Sequence, residues 1–267
     1  MKTQKMIFMF VSFFIVLMLF FTGLMSNKST DESEKVIAKE KQERVVLLSV
    51  PSDIRHSIIY LLADKITWMD YENFVIQVGD SGQETLYRFP NWYHGKYPPE
   101  LIYKDVNGDT FGDIIVVLNN DKAGIGNPNK DIHILNFIKE REAYEEAPIE
   151  SIEKTKTTIK SKVTLGKQGN IVTIRIGDEK YTTDISKYNY RNPHEPLSIS
   201  FDLTTYAVEN GQLFGKIPVL ISQDSFIGGL IGLLKLEYVW DGKEYVVKHI
   251  DFIEYNSEDD QFFFPIN

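Results

Sequence analysis

Tyr103–Asn120, YKDVNGDTFGDIIVVLNN, sets acidic and amide side chains at alternate positions directly before an unbroken apolar run. Asp105, Asn107, Asp109 and Asp113 stand at relative positions 1, 3, 5 and 9, and the carbonyl of Phe111 falls at position 7. A tight loop with this spacing turns alternate side chains inward, and hard oxygen donors in that number suit Ca²⁺, which takes them at ~2.3–2.6 Å. Carboxylates ~5 Å apart repel by roughly 3 kcal/mol per pair at an effective dielectric of ~20, and a divalent ion reverses the sign. The competing reading is a set of Asx turns closing the loop without metal. The loop is not an EF-hand, because Val116 stands where a bidentate Glu is required and a strand follows instead of a helix. An ion held this way binds weakly, in the ~10⁻⁴–10⁻³ M range. The run that follows, DIIVVL, is short and β-branched, which points to a buried strand.

The motif recurs. DVNGDTFGDIIVVL (105–118) lies without gaps over VENGQLFGKIPVLI (208–221), with Asn-Gly, Phe-Gly and the apolar ending in register. A fainter copy, SVPSDIRHSIIYLL (49–62), shares only the apolar ending. The start points differ by about 56 and about 103 residues, near one and two periods of ~50, within the range of propeller blades. A fourth unit near Thr155–Asp184 fills the gap. At the ligand positions the later copy has Val208, Asn210, Gln212 and Lys216, and the earlier one Ser49, Pro51, Asp53 and Ser57, so both keep a turn and lose the site.

Short β runs broken by turn chemistry cover the rest of the chain from Val45, among them NFVIQV, TLYRF, IHILNF, NIVTIRI and LLKLEYVW. WDGKEYVV around Asp241-Gly242 is the strongest hairpin signal. Ile54–Met69 and Asn136–Ala147 are the expected helical stretches, and KTKTTIKSK (154–162) is expected to be a solvated strand face. The class is all-β, mostly antiparallel.

DVNGDTFGDIIVV resembles the D-x-N/D-G-D-x-x-x-D-hydrophobic signature of FG-GAP and VCBS-type repeats, which carry calcium loops in integrin-like β-propellers. The order of elements is similar to that of bacillary secreted VCBS-like proteins. The resemblance covers Val45–Tyr255 loosely, and only Asp105–Leu118 is specific. It implies a β-propeller-like fold with calcium at Asp105, Asn107, Asp109, Phe111 and Asp113, and it implies no activity.

The N-terminus places this domain. After Lys2 and Lys5, residues Ile7–Met25 carry no charge and are long enough for a helix that nearly spans a ~30 Å hydrocarbon core. The preceding lysines and the following DESE leave the N-terminus inside and the bulk of the chain outside. Cleavage after Ser26 is the alternative, with Leu24 where a small residue is preferred. The expected organisation is a membrane anchor or signal segment over residues 1–26, a charged linker over 27–44, and an extracytoplasmic β-domain over 45–267. The chain then sits in the cell membrane as a single-pass protein with its C-terminal domain outside, or is secreted if the segment is cleaved.

Composition narrows the partners. A net charge of −9 argues against a nucleic-acid surface, and the absence of cysteine excludes disulfides, thiolate zinc sites and Cys nucleophiles. GDSG (79–82) reads as a hairpin turn and GIGNPN (124–129) as a turn interrupted by Pro128. The five histidines show no metal-ligand spacing. NWYHGKYPP (91–99) reads as a core-capping loop, with sugar or peptide stacking on Trp92, Tyr93 and Tyr97 as the alternative. SEDDQFFFPIN (257–267) reads as a docked strand or a sticky tail. The leading expectation is a noncatalytic, membrane-tethered binding or assembly module stabilised by calcium, contacting the membrane through its N-terminal helix and a cell-envelope polymer or protein through its domain. The alternative is an extracytoplasmic hydrolase of such a polymer, with Asp80 and Glu84 beside Tyr87 as an example of its carboxylates.

Overall fold

Side chains alternate across a strand, so a run without polar alternates can be buried only between two layers. Strand β6 (Asp113–Asn120) is such a run. Ile114, Val116 and Leu118 enter one hydrophobic core, and Ile115 and Val117 enter another on the opposite face. Burying side chains of this size is worth roughly 1.5–3 kcal/mol each, which makes β6 the hinge between the two cores. The computed structural model describes residues 43–255 except 81, 121–128, 188–195 and 222–228. The expected membrane helix, most of the linker, nearly all of GIGNPN and the C-terminal tail lie outside the described residues.

The described chain is mostly antiparallel β, in four sheets laid down in sequence order. β1 (Glu43–Pro51), β2 (Ile58–Lys65), β3 (Tyr71–Val78) and β4 (Thr85–His94) form the first. β5 (Glu100–Lys104), β6, β7 (Asn129–Ile138) and β8 (Ala143–Ala147) form the second. Helix α1 (Ile152–Lys162) leads into a third sheet of β9 (Val163–Gln168), β10 (Ile171–Ile176) and β11 (Glu179–Asp184). In the fourth, β12 (Ser198–Ile199) and β13 (Thr205–Glu209) share one edge of β14 (Gln212–Leu220), followed by β15 (Leu230–Trp240) and β16 (Tyr245–Glu254).

The first sheet packs on the second through Ile59, Leu61, Phe74, Ile76 and Trp92, which share a core with Ile114, Val116 and Leu118. The other face of the second sheet meets α1 and sheets three and four in the larger core, with Ile159, Val172, Leu213 and Leu234 among its members. Tyr245, fully buried, ties this layer together by donating its hydroxyl to Asn136 Oδ1 at 2.8 Å.

Three local expectations are corrected. Ile54–Met69 is helical only over a 3-10 turn at Ile54–His56, because Ile59, Leu61 and Ala63 are buried with period two and make β2. Asn136–Ala147 is the end of β7, a 3-10 turn at Lys139–Arg141, and β8. Lys154–Lys162 belongs to α1: Ser151 caps it by accepting from Lys154 N–H, and Thr155 and Ile159, four residues apart, bury one face. Glu153 near its start and Lys160 and Lys162 near its end complement the helix dipole.

The three aligned stretches all include a strand-to-strand connection, but their strands do not begin at matching positions: β6 begins at Asp113, whereas β14 begins at Gln212, the position aligned with Asp109. Each spans the connection from one strand to its hairpin neighbour: β1 to β2, β5 to β6, and β13 to β14. In the last, Asn210 and Gly211 both take positive φ and close a two-residue turn between Glu209 and Gln212. That turn abuts the start of the β5–β6 loop, where a Cβ on Gly211 would lie 3.2 Å from the Asp105 carbonyl oxygen.

Candidate functional site

The β5–β6 connection, residues 105–112, is closed by its own acidic and amide side chains. Asp105 accepts from Gly108 N–H at 2.7 Å with one carboxylate oxygen and from Thr110 N–H at 2.9 Å with the other. Asn107 Oδ1 accepts from Asp109 N–H at 2.9 Å, and Asp109 Oδ1 accepts from Phe111 N–H at 2.8 Å. Asn107 Nδ2 donates to the second Asp109 oxygen at 3.0 Å. These are successive Asx turns, in which short polar side chains replace backbone partners. Thr110 is held at φ 77°, a left-handed conformation that a β-branched residue adopts only under constraint, and Gly108 at φ 82° meets the same demand without strain. Gly112 is needed for a different reason: a Cβ there would fall inside the Tyr103 ring.

Asp113 faces the opposite way. It is completely buried, its Oδ2 accepting from Val106 N–H at 3.0 Å and Asn107 N–H at 3.3 Å, and its Oδ1 from Phe137 N–H at 3.2 Å. It therefore fastens the loop to β7. Burial pushes its carboxyl up to about 6, against the lowering effect of the N–H groups.

Asp105, Asn107 and Asp109 each use oxygens on N–H groups of the loop, yet a carboxylate oxygen accepting one hydrogen bond keeps further acceptor capacity. Asp113 is committed to three N–H donors, those of Val106, Asn107 and Phe137. Among the described residues no group of three or more His, Asp or Glu side chains is placed to hold a metal. The outer three residues, with the Phe111 carbonyl, retain oxygen donors for a weakly held ion; the full five-residue set does not fit one as arranged.

Phe111 leads from the loop into a cleft of about 540 Å³ between the first two sheets. Its walls come from the β1–β2 connection (Asp53, Ser57), the start of β4 (Tyr87), the loop itself (Thr110, Phe111) and the β7–β8 hairpin (Lys139, Tyr144). Phe111 and Phe137 have centroids 5.4 Å apart, Phe137 and Tyr144 5.3 Å, and Tyr144 and Tyr87 5.9 Å in a T-shaped pair, a continuous aromatic wall. The phenols are engaged internally: Tyr87 oxygen accepts from Tyr144 N–H at 3.0 Å, Tyr144 hydroxyl donates to the Gly112 carbonyl at 3.3 Å, and Tyr103 hydroxyl donates to Asp53. Burial pushes the Tyr144 phenol up, so it stays a donor. Lys139 Nζ stands 5.4 Å over the Phe111 ring. Phe137 and Tyr144 are buried core rings, so the cleft presents chiefly the half-buried Phe111 and Tyr87, rimmed by Asp53, Ser57, Lys139 and Glu142.

Other sequence candidates fall elsewhere. Glu84 is exposed in the β3–β4 turn, where its own and the Gly82 backbone N–H hold its carboxyl below the usual carboxylate range. Asp80 accepts a long 3.5 Å contact from Tyr60 hydroxyl, and Gly79, Asp80 and Gly82 lie in the same connection between β3 and β4. Within NWYHGKYPP, Trp92 is buried between Phe89 and His133 in stacked contacts of 3.9 and 3.8 Å. His94, also buried, accepts from Asn119 N–H on Nδ1 and donates from Nε2 to the Tyr97 carbonyl at 2.6 Å. Its surroundings make it a structural histidine. Sequence reasoning missed Phe137, Lys139, Glu142 and Tyr144, because the segment carrying them was read as helix. Comparison with known proteins returns no match to any family model, curated protein or solved structure.

Proposed function

We propose that the chain is a noncatalytic, membrane-tethered binding or assembly module outside a bacterial membrane, whose ligand seats in the cleft beside the β5–β6 loop. The reading is supported by one observation above others: the half-buried rings of Phe111, from the β5–β6 loop, and Tyr87, from β4, backed by the buried Phe137 and Tyr144, line a cleft of ligand size, and the phenol oxygens are engaged in the fold. Ring faces with a few charged rim groups suit a sugar ring or peptide segment of a cell-envelope polymer or protein. The succession of meander sheets is compatible with a propeller-like arrangement of the kind the FG-GAP and VCBS resemblance implies. Calcium enters this reading as an external staple on Asp105, Asn107, Asp109 and the Phe111 carbonyl, supplying charge neutralisation where two carboxylates share a short turn.

The test is sedimentation of the domain with purified envelope polymer, followed by chromatography of the polymer. Phe111→Ala should weaken retention about tenfold or more, the equivalent of ~1.4 kcal/mol, with the polymer recovered intact. Release of fragments that depends on Asp80 or Glu84 would establish the hydrolase instead.

A further inference from the structure

The hairpin between β2 and β3 carries the most exposed large apolar side chain of the described residues, Trp68, at 75% exposure. Ile66 beside it is 41% exposed. The tip is rigidly built. Ile66 and Thr67 N–H both donate to the Asp70 carbonyl, Thr67 hydroxyl donates to Asp70 Oδ2 at 2.6 Å, and Met69 and Asp70 N–H donate to Thr67 Oγ1. The acids nearest the turn have partners: Asp70 also accepts from Tyr93 hydroxyl, and Asp64 is paired with Arg44. A turn so fully bonded holds its tryptophan out in water at little further entropic cost on binding.

Strand pairing fixes which end of the sheet this is. β2 runs antiparallel to its neighbours, and Arg44, at the start of β1, bonds both Asp64 and the Asn73 carbonyl, at the end of β2 and the start of β3. The chain therefore enters the first sheet at the hairpin end. Tyr71 pairs with His94, so the Gly95–Pro98 turn, with Tyr97 47% exposed, leaves β4 at that end too. The cleft lies at the other end, since its lining comes from the β1–β2 and β3–β4 connections. In the sequence, seventeen residues separate Glu43 from the apolar run Ile7–Met25.

We infer that the β2–β3 hairpin is a second membrane contact, with Trp68 and Ile66 seated in the lipid interface, Tyr97 beside them, and Lys65 and Lys96 at the headgroups. This rests on the proposed N-terminal anchor. Aromatic rings with flanking lysines are the side chains that favour the membrane–water boundary. A segment of this length reaches at most about 60 Å when fully extended and by itself does not fix the orientation of the domain. It does hold the tip at a local concentration on the order of millimolar, so a contact too weak to bind from solution is populated. The domain then stands on the hairpin end with the cleft facing away from the bilayer.

The experiment uses the full chain reconstituted in phosphatidylcholine–phosphatidylglycerol vesicles, with and without bromine on the upper acyl chain. The chain has three tryptophans, so the Trp68 emission is the difference between wild type and Trp68→Phe. It should fall by roughly twofold or more in brominated vesicles, as expected for a ring at the interface. A chain that floats with the vesicles while Trp68 emission is unchanged overturns this inference and leaves the anchor standing. A chain that fails to float overturns both. A blue shift that depends on protein density and not on bromine assigns the tip to a second copy and overturns it as well.

Discussion

Replacing Asp113 separates the hydrogen-bonding and charge contributions at the buried hub of the loop. Its carboxylate serves three backbone N–H groups, and a buried N–H left without an acceptor costs about 1–3 kcal/mol. Asp113→Ala should therefore cost roughly 3–6 kcal/mol, allowing for partial relaxation, with the cost largest at low pH. Asp113→Asn retains the shape and one acceptor oxygen. The carboxyl titrates near 6 in the fold against 3.8 in its ordinary state, a difference of roughly 3 kcal/mol at about 1.4 kcal/mol per unit. Between those values the folded chain binds the proton more tightly than the unfolded one. The contribution of this group is greatest below about pH 4, falls as pH rises toward 6, and is level above that. The stability advantage of wild type over Asp113→Asn should thus shrink by roughly 3 kcal/mol from pH 4 to pH 7. Urea unfolding of the chain without residues 1–42, at half-unit pH intervals, measures it. An offset between the two proteins that does not change with pH would show that the Asp113 carboxyl is not raised in the fold. A slope that vanishes in millimolar calcium would place Asp113 on the ion.

Gly112→Ala should destabilise by about 1–3 kcal/mol, since its methyl group displaces the Tyr103 ring, measured by thermal melts. Thr110→Gly should raise stability by about 1 kcal/mol, because relief of the positive φ exceeds the added chain entropy; an unchanged or lower midpoint would show the conformation to be unstrained. Tyr245→Phe should cost about 1–2 kcal/mol by leaving Asn136 Oδ1 without its donor, read by the same melts. Calorimetry with calcium and with chelator should show a gain of roughly 1–3 kcal/mol at tenfold to hundredfold excess over the dissociation constant, abolished by Asp109→Ala; no gain would remove calcium from the account.

Strands with strong local patterning were legible in the sequence. DIIVVL, NFVIQV, NIVTIRI and LLKLEYVW lie in β6, β3, β10 and β15. Helix and strand were confused where the apolar pattern was short: Ile58–Lys65 has few polar alternates, and threonines hid the i, i+4 pair of α1. The loop residues were legible as a turn-forming group, but the direction of Asp113 was not, because its third donor, Phe137 N–H, is twenty-four residues away. The reason for Gly112 was hidden for the same cause, since it depends on where the Tyr103 ring packs. The cleft is assembled from separate hairpins, and no local spacing announces such a wall. Trp68 was obscured when residues 54–69 were read as one helix.

The account places binding at the aromatic cleft, and amide chemical-shift mapping tests that most directly. The isotope-labelled domain would be titrated with soluble glycan and peptide fragments of the cell envelope. Binding in the cleft should concentrate the shifts at Tyr87, Phe111, Lys139 and Tyr144 and leave the fragment unchanged. Shifts centred on the β3–β4 turn, or cleavage of the fragment during the titration, would contradict it.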